Sequence, residues 1–208
     1  MNTTFFASVA ATGFAVAFLH AALPTHWLPF VLVSRAQKWT TGRTLGVTLL
    51  AGLGHVGLTI LLGLAVVAAG LVVQPHLGDS FHWIVGGLMA AVGLFYLARG
   101  RHKHATLDTG RKFTSDRAAI TALVVLLTLS PCEAFLPYYL AGMEHGVAGF
   151  LTLSAVLLTA TSAGMLIFTG LSLAGFNRLR LDRLEQYEEL ILGGALIVIG
   201  AAVAFLKT

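Results

Sequence analysis

Residues 19–29 read Leu-His-Ala-Ala-Leu-Pro-Thr-His-Trp-Leu-Pro, and residues 130–137 read Ser-Pro-Cys-Glu-Ala-Phe-Leu-Pro. Each stretch interrupts an apolar run with a Pro-x-polar element followed by Leu-Pro. Proline lacks a backbone N–H and its ring clashes with the preceding turn, so a helix entering either stretch kinks or breaks there. Non-helical backbone at membrane depth persists only where it is buried in protein or lines a cavity. Two such interruptions, each beside ionisable side chains, predict a pair of broken membrane helices around a central site.

The composition supplies the membrane. Of 208 residues, 57% are apolar and 11% charged, and the mean hydropathy is +0.85, whereas a soluble domain carries about 25% charged residues. A core of this size cannot hide so much apolar surface, so lipid must cover the rest. Apolar runs fall at roughly 5–23 (continuing past Pro24 to about 34), 44–73, 82–98, 118–141, 146–175 and 187–206, each long enough for ~30 Å of hydrocarbon. The second and fifth exceed one span and are expected to tilt, break or project. The reading is an all-α integral membrane protein of six transmembrane helices, a single transmembrane domain over 1–208 with no room for a soluble catalytic domain, and not an enzyme. The N-terminal Met1-Asn-Thr-Thr-Phe-Phe carries no positive charge, so the first run reads as a retained span and not as a cleaved signal.

Twelve of the thirteen Lys and Arg fall in three connections on one side. They are Arg35, Lys38 and Arg43; then Arg99, Arg101, Lys103, Arg111, Lys112 and Arg117; then Arg178, Arg180 and Arg183, with Lys207 the exception. The positive-inside rule makes those loops cytoplasmic and puts both termini outside, in a multi-pass protein of the inner (plasma) membrane. The same asymmetry accounts for the net charge of +4 through anionic head groups, so membrane lipid is the expected partner and nucleic acid is not.

Shifted by 107 residues, the chain matches itself. Gly57-Leu-Thr-Ile-Leu-Leu-Gly-Leu64 falls on Gly164-Met-Leu-Ile-Phe-Thr-Gly-Leu171. Ile84-Val-Gly-Gly87, followed by Gly93, falls on Ile191-Leu-Gly-Gly194, followed by Gly200, and Pro24 falls on Pro131. Two repeats, about 5–98 and about 112–206, each hold three spans. An odd number of spans makes the second enter from the opposite side, an inverted repeat of the kind many secondary transporters use. Small residues also recur simply because they let helices pack closely, and the glycines serve that purpose too.

Ionisable groups inside spans are expensive and mark function by default. The set comprises His20, His26, His55, Cys132 and Glu133, with Ser162 at the position matching His55. Imidazole, thiolate and carboxylate together suit divalent transition metals such as Zn, Ni or Co; a single intramembrane histidine, by contrast, reads as a helix–helix hydrogen bond. In the outward loop, His76, Asp79 and His82 are a candidate external capture site, with a plain turn around Pro75, Gly78 and Asp79 as the alternative. Glu144-His145 lies in the other outward loop. His102-Lys103-His104, crowded by basic residues, reads as solvated loop. Glu185, Glu188 and Glu189 with Arg180 and Arg183 read as a charged helix face. Trp27, Trp83, Tyr138 and Tyr139 read as interfacial or packing aromatics. The lone cysteine excludes a disulfide within the chain, and no Gly-x4-Gly-Lys-[Ser/Thr] loop is present.

At the Pro24 and Pro131 elements the chain resembles, over nearly its whole length, the lysine-exporter (LysE) superfamily of six-span proteins with two inverted three-span repeats. Ser130-Pro131-Cys132 is similar to the second Pro-Cys motif of the DsbD/CcdA-type thiol–disulfide transporters, where the first position here reads Pro24-Thr25. His20-x5-His26 and Gly54-His55 are similar in kind to the intramembrane histidine motifs of NicO-type nickel/cobalt transporters, whose pattern is His-x4-Asp-His. The resemblance implies transport.

The expectation is therefore a membrane transporter of a divalent transition-metal cation. His20, His26, His55, Cys132 and Glu133 would be its ligands, and the metal its substrate, with no permanently bound cofactor. A homo-oligomer is compatible with this reading. The rivals are a thiol/disulfide electron-transfer protein using Cys132 with a partner, an accessory membrane protein for metalloenzyme maturation, and an intramembrane enzyme with Glu133 and His55 as acid and base.

Overall fold

A computed structural model describes the backbone of residues 3–99, 113–175 and 182–205. Its helices are α1 (Thr3–Ala21), α2 (Pro24–Gln37), α3 (Thr41–Leu77), α4 (Phe81–Arg99), α5 (Asp116–Thr128), α6 (Leu136–Gly142), α7 (Gly146–Leu173) and α8 (Asp182–Phe205), with short 3₁₀ turns at Gly78–Ser80, Glu133–Phe135 and Met143–His145. The described residues contain no strand. Three stretches, Phe6–Gln37, Thr41–Leu77 and Gly146–Leu173, are long and apolar enough to cross a bilayer, and Trp83–Phe95 and Leu196–Phe205 are shorter apolar helices. The protein is thus a helical membrane protein. Large apolar side chains face outward along these helices, among them Leu50, Leu61, Leu64, Val72, Leu94, Leu151 and Val198. Water does not tolerate so continuous an apolar exterior, and lipid does.

Both proline elements break their helices. α1 stops at Ala21, Ala22 and Leu23 form a bend, and Pro24 opens α2 from its first position, where a missing N–H costs nothing. The carbonyl of Ala22 left open by the bend accepts from the indole Nε1–H of Trp27 at 2.8 Å. α5 stops at Thr128, after which Leu129–Cys132 leave the helical path and a 3₁₀ turn leads into α6. The two helix ends, Ala21 and Thr128, lie 107 residues apart. α3, with 37 residues, is about 55 Å long at 1.5 Å per residue, so it projects well beyond ~30 Å of hydrocarbon.

Packing runs across the two halves of the chain. α1 lies on α7, α3 on α5 and α7, α2 on α7, α6 on α3, and α4 on α8. The α4–α8 seam is made by glycine. A Cβ on Gly86 would strike the carbonyl of Gly200, and one on Gly200 the carbonyl of Gly86; Gly93 and Gly193 stand in the same reciprocal relation. Gly87 and Gly194 meet nothing, so the seam uses one side of each helix. Between the helices lies a core that includes Val16, Val56, Met89, Phe135, Tyr138, Tyr139, Leu153, Leu157 and Leu196.

At the end of the bundle nearest Arg35, Lys38 and Arg43, polar contacts tie the halves together. Arg43 pairs with Asp116 at 2.7 Å, the indole of Trp39 donates to the other Asp116 oxygen at 2.9 Å, and the Arg43 guanidinium lies over the Trp39 ring at 5.2 Å. Gln37 donates to the carbonyl of Phe113 at 3.1 Å, and Arg35 to that of Ser172 at 3.3 Å. Thr40 and Ser115 cap α3 and α5, each accepting from a backbone N–H in the first turn.

Candidate functional site

The two helix breaks supply the site. His20 stands in the last turn of α1 and His26 in the first turn of α2, so the bend between them folds one imidazole toward the other. Their ring centroids are 4.3 Å apart. His55, in the middle of α3, approaches from the side, its ring 5.5 Å from that of His26. Cys132 lies in the unwound segment after α5, and its thiol adjoins the imidazoles of both His20 and His55. His26, His55 and Cys132 are buried, His55 completely. Four of the five residues singled out from the sequence as a ligand set therefore meet at one place. For the fifth, Glu133, the backbone begins the 3₁₀ turn next to Cys132, and its side chain lies outside the described residues.

Hydrogen bonds decide what these groups offer. Nδ1 of His55 lies 3.3 Å from the carbonyl oxygen of Leu127. A carbonyl only accepts, so in the neutral ring Nδ1 carries the proton and Nε2 the lone pair. That carbonyl already accepts the Ser130 N–H at 3.1 Å, and its second lone pair is left to His55 because the residue four positions on is Pro131, which has no N–H for the helical bond. Nε2 of His55 is buried, and the Cys132 thiol is its neighbour. Orienting a ligating histidine through its other ring nitrogen is the usual arrangement around metals. Nδ1 of His26 pairs with the hydroxyl of Thr25 at 3.2 Å. Among the described residues, no group of three or more His, Cys, Asp or Glu side chains stands in geometry ready to hold a metal ion. The cluster is close-packed but not pre-formed as a coordination sphere.

Two residues that the sequence reading did not connect with the site border it. Thr59 accepts the backbone N–H of Cys132 at 2.9 Å. Tyr138 packs in the same buried cluster as Cys132, and its ring stacks on Phe135 at 5.1 Å between centroids. Tyr138 and Tyr139 are core residues, not interfacial ones, and so is Trp27; Trp83 is exposed. The spacing of Thr59 four residues after His55 was visible, but its partner across the bundle was not.

The outward loop is different. His76 is exposed at the end of α3, and its Nδ1 bonds to the carbonyl of Val72 in its own turn at 3.0 Å. The side chains of Asp79 and His82 lie outside the described residues, as does that of Glu144. His145 is stacked on Phe6, with centroids 4.2 Å apart. Residues 102–104 and the side chains of Arg180, Arg183, Glu185, Glu188 and Glu189 also lie outside the described residues.

Comparison with protein-family models, with curated proteins and with solved structures returns no match.

Proposed function

We propose that this protein is a secondary transporter of a divalent transition-metal cation of the Ni, Co or Zn type, acting in the inner membrane through six spans with both termini outside. The observation that carries the reading is the meeting of three imidazoles and one thiol, drawn from α1, α2, α3 and the segment after α5, where both helices are broken. Nitrogen and sulfur donors favour late first-row divalent ions over Mg or Ca. A transit site has to release what it binds. The four side chains are adjacent, and movement of the helices they stand on would close them on a cation and open them again. Glu133, next in sequence to Cys132, is the candidate for the neutralising carboxylate. His76, Asp79 and His82 remain a proposed capture site, although the His76 ring is engaged with its own helix.

An inverted repeat supports the same reading. Under the 107-residue shift α1 corresponds to α5, α3 to α7 and α4 to α8. Exchanging the halves turns the contact of α1 with α7 into that of α5 with α3, both of which are present. It turns the Gly86–Gly200 contact into Gly193–Gly93, which is also present. Contacts that recur under the exchange in this way are what a two-fold relation would produce. Rocking of one repeat against the other would then expose the site to each side in turn.

One observation favours a second reading, thiol–disulfide exchange with a partner: the single cysteine has two imidazoles beside it, the kind of neighbour that reactive thiols have. Cys132 is 1% exposed, so any partner thiol would need the bundle to open first. The deciding experiment is divalent-cation flux in proteoliposomes across Zn, Ni, Co, Mn and Fe, with His26→Ala and Glu133→Gln alongside. Flux lost in both variants supports transport. Absence of flux for every cation, with Cys132 trapped in a mixed disulfide, overturns it in favour of the redox reading.

A further inference from the structure

We propose that Thr59 is a positioning residue of this site, holding Cys132 in register with His55 without itself touching the cation. This rests on the transport reading for its purpose, but its geometry stands independently. Where α5 ends, Leu129 N–H still reaches Val125 and Ser130 N–H reaches Leu127, and Pro131 has none to give. Cys132 is therefore the next backbone donor in the break, and it is buried, where an unpaired N–H is costly. Its acceptor is Oγ1 of Thr59 at 2.9 Å. The hydroxyl proton of Thr59 goes in turn to the carbonyl of His55, also at 2.9 Å. One fully buried hydroxyl thus joins the backbones of the two residues that face each other in the cluster.

Bonding of a Thr hydroxyl to the carbonyl four residues earlier is ordinary within a helix. What is not ordinary is that the oxygen also accepts from a different segment at a helix break. His55 and Thr59, four apart, share one face of α3, so the ring and the hydroxyl approach Cys132 from the same side. That this is a ligand site and not only a helix contact is supported by Nε2 of His55, which is buried beside the Cys132 thiol with Nδ1 already engaged by Leu127. Serine could make both Thr59 bonds. Valine, of the same shape, could make neither.

The test measures alkylation of Cys132, the sole cysteine, by N-ethylmaleimide in the full-length protein in nanodiscs, with Cys132→Ser as the blank. Wild type, Thr59→Ser and Thr59→Val are compared without metal and then with Co²⁺ or Zn²⁺ alone. Losing the bond should loosen the break and raise the metal-free rate in Thr59→Val by about tenfold, with Thr59→Ser within about twofold of wild type. Thr59→Ala takes the place of Thr59→Val should the latter not fold. A wild-type rate in the valine or alanine variant, or a serine variant that shifts as far as they do, overturns the proposal. Metal that protects Cys132 in wild type and serine but not in valine extends Thr59's role to the cation-bound site. If metal fails to protect wild type, Cys132 is not a ligand of that cation, and the metal-free rates alone still decide the role of Thr59.

Discussion

Nδ1 of His55 and the carbonyl oxygen of Leu127 lie 3.3 Å apart across the contact between α3 and α5. Ser130 N–H also bonds that carbonyl, at 3.1 Å, and Pro131, having no N–H, leaves the second lone pair to the side chain. The break in α5 thereby orients a histidine on another helix, and the lone pair on Nε2 follows from that orientation.

Asparagine at position 55 separates anchor from ligand. Its amide can still donate near the Nδ1 position, but it offers nothing at Nε2. We expect His55→Asn to fold with nearly wild-type thermal stability and to lose metal flux at least about tenfold. His55→Ala should lose flux and also about 1–3 kcal/mol of stability, the cost of leaving a buried polar group unsatisfied. Thermal unfolding in detergent and proteoliposome flux check both.

Replacing Pro131 by alanine restores an N–H that can bond the Leu127 carbonyl and lets α5 continue. The variant should be as stable as wild type or more so, because helix propensity improves by up to about 3 kcal/mol in a helix interior. Its transport should fall, since the histidine loses its acceptor and Cys132 is drawn into the helix. Stability that rises while flux falls would be read from the same two assays.

The glycine seam predicts a contrast between neighbours. Gly86→Ala and Gly200→Ala each press a methyl onto a carbonyl of the opposing helix and should cost about 1–3 kcal/mol. Gly87→Ala meets nothing and should lie within about 0.5 kcal/mol of wild type. Unfolding curves of the three variants side by side test whether α4 and α8 close as described.

Asp116 predicts a pH dependence at the basic end of the bundle. The Trp39 indole hydrogen bond holds its carboxyl below the usual range against the opposing effect of burial, with the charge of Arg43 adding to the lowering. A carboxylate with a lowered folded-state pKa stabilises above its unfolded value, and that contribution disappears as pH falls through the folded value. Wild type should therefore exceed Asp116→Asn in melting temperature by a constant margin at pH 5–7, and the margin should close only below about pH 4.

Much of the site was legible one residue at a time. His20, His26, His55 and Cys132 stand out because ionisable groups in apolar runs are costly, and the helix breaks stand out because proline cannot complete a helical turn. Thr59 did not stand out, because a threonine in a membrane helix ordinarily bonds within its own turn and nothing in the local sequence points to Cys132, 73 residues away. Trp39 and Asp116 went unnoticed for the same reason: each is unremarkable in its own loop, and the pairing spans 77 residues.

Composition and local chemistry alone determined that this chain is helical, that it belongs in lipid, and where its helices fail, because hydropathy and the proline ring act on a segment without reference to the rest of the fold. Which imidazole faces which, which nitrogen of His55 keeps its lone pair, and which glycine opposes which were decided only in the tertiary structure. Those are properties of contacts between distant segments, set by how α1, α3, α5 and α7 pack, and a packing direction is not encoded in any one segment's composition.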